Sequence, residues 1–177
     1  MNTSPLQTLQ SHIKKCADIE TDLAADKNHL ALFAEERATL EANLDLTDTS
    51  ALARVAQLQA IAILAPDRTE IRHAALDAAR TELVVASREF IREHLRPRCL
   101  QLRQLVEAKV RESLQSHYPE ETDLAAAVNV SGLIVELEKI STHAILGGFR
   151  TDDCQKKAAQ LLAAWTDADA FEKAHLN

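Results

Sequence analysis

From Ser4 to Asp45 the chain has one proline, at position 5, and no glycine. Few sequences leave the backbone so little choice. Ser4-Pro5-Leu6-Gln7 reads as a helix start: a serine cap, proline at the first helical position, and a glutamine placed to reach back to the cap. Apolar residues then recur every seven. One row is Leu9, Cys16, Leu23, Leu30, Arg37 and Leu44; the other is His12, Ile19, Asp26, Phe33 and Leu40. Spacings of three and four put both rows on one stripe of a helix. Such a helix runs to about 60 Å. A compact domain of this chain length has a radius of gyration near 16 Å. The helix therefore needs other long helices beside it, in this chain or in a second copy. Leu9, Cys16, Ile19, Leu23, Leu30, Phe33, Leu40 and Leu44 form the expected interaction seam. The charged seam residues Asp26 and Arg37 either fix register or mark the drift of the stripe away from a strict heptad, and drift is the preferred reading.

The rest of the chain is equally helical in character. Three glycines, four prolines and an apolar set dominated by Ala and Leu leave little room for strands. With 46% hydrophobic residues in 177, the chain can build a core. Thr47, Asp48 or Thr49 caps the second helix. That helix carries apolar residues on most sides up to Leu64 and reads as deeply buried. Pro66 is expected to end it, with Asp67 and Glu70 as the capping box of a restart; a kinked continuation is the alternative. From Arg68 one seam holds Leu76, Ala79, Leu83, Ala86, Phe90 and His94. A second row holds Ile71, Ala75, Ala78 and Val85. Two apolar faces predict a helix with neighbours on both sides. Pro97 predicts a kink rather than an end, and the rhythm runs on through Cys99, Leu102, Val106, Val110 and Leu114.

Beyond Tyr118 the helices become shorter. They are expected over 120–128 and 131–145, with Gly147-Gly148 as a stop. Asp152 with Gln155 then caps a helix carrying Ala158, Leu161, Leu162 and Trp165, and Asp169 with Glu172 caps a last turn. The expected fold is all-α: long antiparallel, coiled-coil-like helices in an elongated bundle over 1–118, with a cap of shorter helices over 119–177.

Charge is laid out unevenly. Residues 1–50 carry nine acidic and four basic groups, 68–111 carry six acidic and ten basic, and 112–177 carry eleven acidic and five basic. A basic middle between acidic flanks suits antiparallel pairing of the first helix with a later one. Within the basic stretch, Arg88, Arg92 and Arg96 stand four apart, near Arg98 and Arg103. These five are candidate phosphate-contacting residues. No aromatics are interleaved for base stacking, and Glu89 and Glu93 interrupt the strip, so nucleic acid is the less favoured partner.

Other chemistry finds thin support. Glu-x-x-His occurs as Glu70/His73 and Glu172/His175, the pairing used by di-metal carboxylate bundles. Capping by Glu70 and the terminal position of His175 are the plainer readings. His12, Cys16 and Glu20 share a stripe but lack a fourth ligand. No glycine loop for phosphate and no Gly-x-Ser-x-Gly elbow is present. Cys99 lies between arginines, yet its place in the apolar rhythm predicts a buried, inert thiol. The expectation is a non-enzymatic scaffold or adaptor that self-associates through its long helices, with no cofactor, no metal and no membrane span. The absence of a leader pattern and three widely spaced cysteines suggest a cytoplasmic setting.

Overall fold

The computed structural model describes residues 4–45, 47–117, 135, 136, 138, 139 and 153–176, with the side chains of 113–117 excepted. Among these residues the chain is all-α, with no strand. Helix α1 spans Pro5–Ala42 and α2 spans Thr49–Phe90. A single π-helical segment, Ile91–Leu95, leads into α3, Arg96–His117, and α4 covers Cys154–His175.

The starts of α1 and α2 follow from local chemistry. The Ser4 N–H donates to Gln7 Oε1 at 3.1 Å, the returning arm of the capping box. Asp45 Oδ1 accepts from the N–H and hydroxyl of Thr47, closing the turn after α1. Asp48 Oδ1 accepts from the N–H groups of Ser50 and Ala51, so Asp48 is the cap chosen among the three candidates. Both carboxyls are held below the ordinary aspartate range. At Asp45 the Thr47 N–H acts most; at Asp48 it is the Ser50 hydroxyl.

Pro66 does not end a helix. It lies inside α2, and no restart occurs at Asp67. Proline removes one donor, that to the Ala62 carbonyl, from the ladder. The next turn is tied down by the Thr69 hydroxyl, which donates to Ala65 O at 2.9 Å. On both sides of Pro66, arginines of α2 continue to meet carboxylates of α1, so the pairing runs past the defect. Glu70 accordingly has no capping role.

Pro97 is likewise absorbed within a continuous helical run. In an α-helix its N–H would serve the Glu93 carbonyl, and proline has none to give. The preceding segment winds wider, and the Arg96 N–H donates to Ile91 O. The buried positions Leu83, Ser87, Ile91, Leu95 and Cys99 explain the phase. Each step of four overshoots an α-turn by about 40°, so four steps would rotate the seam by roughly 160°. A wider turn keeps these side chains on one side.

The chain divides into two compact units. One comprises residues 14–80. Its buried apolar residues are Cys16, Val55, Leu58, Leu76 and Ala79. The other comprises residues 1–13 and 81–177. It holds the larger core, with Leu9, Leu83, Leu95, Leu102, Val106, Leu161 and Phe171 buried. There α4 packs on α3. Ala158, Ala164 and Ala168 lie fully buried on α4, and small side chains let the helices approach closely. The Phe90 and Trp165 rings meet at 5.5 Å. Lys109 Nζ donates to the His175 carbonyl at the end of α4. Asp153, one residue after the expected cap, starts α4 and pairs with Lys157 at 2.8 Å. Asp169 and Glu172 cap nothing, because α4 runs through them.

The boundary expected at 118/119 and the Gly147-Gly148 stop lie outside the described residues. So do the helices expected over 120–128 and 131–145, apart from Val135, Glu136, Glu138 and Lys139, which are helical.

Candidate functional site

The residue 14–80 unit is built on paired charges more than on buried carbon. Glu36 takes a two-pronged contact from Arg54, Nε and Nη2 each donating at 2.7 Å. This pair lowers the Glu36 carboxyl and raises the Arg54 guanidinium, the hydrogen bonds acting most. Asp26 Oδ2 sits 2.7 Å from Arg72 Nη1 and 3.4 Å from Arg68 Nε. Glu20 accepts from Arg80 Nη2 at 2.9 Å. As α1 descends from 36 to 20, its partners on α2 climb from 54 to 80, which is the signature of antiparallel neighbours. Asp26 is therefore a paired charge on the inward stripe, facing the arginines of α2. Arg37 instead turns along its own helix to Glu41, 3.5 Å away.

The predicted seam of α1 is largely used inside the chain. Leu9 and Cys16 are buried; Ile19, Leu23, Leu30, Phe33, Leu40 and Leu44 are half-buried. Leu30 and Phe33 face Ile61 and Leu64 across a cavity of about 410 Å3, with Asp26 and Arg68 at its polar end. On the other side of Leu30, a more open groove is lined by Ala62, Pro66, Glu70 and His73. Only here does one Glu-x-x-His pair share a surface. Glu172 of the second pair is taken by Arg98, and His175 lies 3.7 Å from Glu136.

The other half of the apolar rhythm is not covered. The sequence reads the stretch from Leu52 to Leu64 as apolar on most sides and deeply buried, and the Ile71 row as a second contact face. In the structure Ile63 is 75% exposed, Ile71 70% and Leu64 65%, while Val55 and Leu58 of the same helix are buried. Ala75, Ala78 and Val85 are exposed as well. Two apolar faces were legible; that only one meets a neighbour among the described residues was not.

The arginine strip is not one surface. Arg88, Arg92, Arg96 and Arg103 are exposed and Arg98 is half-buried. Arg92 pairs with its neighbour Glu93 at 2.7 Å, and that contact raises its guanidinium. Arg103 pairs with Glu107 at 3.0 Å. Arg98 reaches α4, donating to Asp169 at 3.3 Å and to Glu172. The π-helical segment falls within the strip, between Arg88 and Arg96, and breaks the even four-residue phase on which it rested. The arginines that do face the acidic first helix are Arg54, Arg68, Arg72 and Arg80.

Among the described residues no three His, Cys, Asp or Glu side chains gather as a metal site. His12 lies 3.8 Å from Glu82, while Glu20 is engaged by Arg80, so the sequence triad is not assembled. Cys16, Cys99 and Cys154 are buried free thiols. Burial pushes the Cys99 thiol up, against the opposing pull of Arg98, as expected for an inert cysteine. No described helix is long and apolar enough to cross a membrane. The chain matches no family model, no curated protein and no solved structure.

Proposed function

We infer that this is a non-enzymatic helical interaction protein, a scaffold or adaptor that associates with itself through its long helices. The supporting observation is the uncovered apolar row on α2, with Ile63 75% and Ile71 70% exposed. Single exposed apolar residues are ordinary, but a contiguous row along one helix face is a contact surface. The α1 seam supplies the packing within the chain, and α2 supplies what is left for a partner. Light scattering over a concentration series reads this directly. The expected result is a mass that rises above that of one chain in the micromolar range; a single-chain mass throughout ends the proposal.

A phosphate-binding role for the arginine strip has weaker support, since Arg92, Arg98 and Arg103 are each held by carboxylates. Such a role requires salt-sensitive nucleic-acid binding that disappears when Arg88, Arg92 and Arg96 are changed together to glutamate.

A further inference from the structure

The uncovered row of α2 has an internal symmetry. On the continuous helix, Ala56, Ala60, Ile63, Asp67, Ile71, Ala74 and Ala78 follow steps of four, three, four, four, three and four. At about 100° per residue they keep within a stripe roughly 80° wide. The buried residues Val55, Leu58 and Leu76 lie on the other side, and all seven of the row are exposed. Reversing the row about Asp67 returns the same residue types: alanine for alanine at 56 and 78, alanine for alanine at 60 and 74, isoleucine for isoleucine at 63 and 71. A two-fold axis presents each surface with itself running backwards, so a row that reads alike in both directions is self-complementary.

Resting on the self-association reading above, we propose that α2 pairs with α2 of a second copy, antiparallel, about a two-fold axis at Asp67. Ile63 of one copy then meets Ile71 of the other on both sides of the axis. The alanines beyond them permit close helix approach, and Leu64 flanks the seam. The area is sufficient. Each large side chain brings roughly 100 Å2 and each alanine about half of that, so the two copies together bury on the order of 1,000 Å2. That is the lower limit for a specific interface, so the dimer is a weak one. Asp67 is the one charged residue in the row. At the axis it faces its own copy and opposes association, while penalising every register that would set it against an isoleucine.

Spin labels test the arrangement. The native thiols are buried, so single cysteines introduced by Gln57→Cys, Glu70→Cys or Asp77→Cys take the label selectively. In an antiparallel pair the separation grows by about 3 Å for each residue away from 67. Labels at 57 and 77 should each report about 30 Å between copies, and a label at 70 should report short-range coupling. Asp67→Asn should tighten the dimer several-fold, and Ile63→Glu with Ile71→Glu should abolish it with helical circular dichroism unchanged.

Equal short distances at all three positions mean a parallel pair. A dimer that survives the double glutamate variant uses another face. Either result overturns this proposal and leaves self-association standing. A monomer at every concentration overturns both. A monomer whose thermal midpoint falls with Ile63→Glu does the same, and assigns the row to packing within a single chain.

Discussion

Asp48 shows how much one side chain can settle. It follows the turn closed by Asp45 and accepts two backbone N–H groups at the first turn of α2. Thr47 and Thr49 are also cap-forming types, though weaker than aspartate, and Thr47 is occupied with Asp45. Because its folded carboxyl is depressed, Asp48 adds stability that is complete above the ordinary aspartate value of about 4 and is lost as pH falls through the lower, folded value. Asp48→Ala should therefore lower the thermal midpoint at neutral pH, and the gap to the parent should narrow as pH falls below the ordinary aspartate value of about 4. A gap that stays constant down to strong acid would show that the carboxylate is not the cap. The cysteines make the complementary point. The burial of Cys16 and Cys99 was readable from the apolar rhythm, because sulfur in a seam position behaves as a small hydrophobe; that of Cys154 was not.

Two prolines lie inside the helical run: Pro66, where the local code reads a stop, and Pro97, where it reads a kink. Pro66 and Pro97 meet the same problem, a missing donor, in different ways. At Pro66 the ladder loses the bond to the Ala62 carbonyl, and the Thr69 hydroxyl adds a bond to Ala65 O, the carbonyl just before the proline. At Pro97 the helix widens for a turn, which also brings a run of four-residue spacings into one seam. Capping signals at Asp67 and Glu70 favoured a restart because they were judged without the arginines that bind α2 to α1 beyond the proline. Proline inside a helix costs about 3 kcal/mol relative to alanine, and its rigidity in the unfolded chain returns less than about 1 kcal/mol of that. Pro66→Ala should accordingly stabilise the protein by about 2 kcal/mol in urea unfolding. No gain, or a loss, would mean that the defect at 66 is required for the pairing of α1 with α2.

The two compact units are held by different forces. The unit containing α3 and α4 buries long apolar rows from α2, α3 and α4, whereas residues 14–80 rely on half-buried side chains and cross-helix ion pairs. Ion pairs near water are individually weak and are screened by salt; buried carbon is not. Amide hydrogen exchange should then be faster across 14–80 than across 83–106 and 154–171, and added salt should widen the difference. Uniform protection across both units would contradict this division of forces.

The chain determined by itself that its described residues would be helical: almost no glycine, prolines far apart, and apolar residues at helical spacing permit little else. It also determined where α1 begins, since a cap and its returning glutamine are local chemistry. Tertiary structure decided which of two apolar rows on α2 would be covered, because periodicity reports that a face is greasy and not whether a neighbour arrives. It decided too that Asp26 would be a paired charge and that Arg98 would belong to α4, since the partners of both are distant in sequence. Pro66 is the clearest case: a local order to stop, overruled by contacts that exist only once α1 and α2 lie side by side.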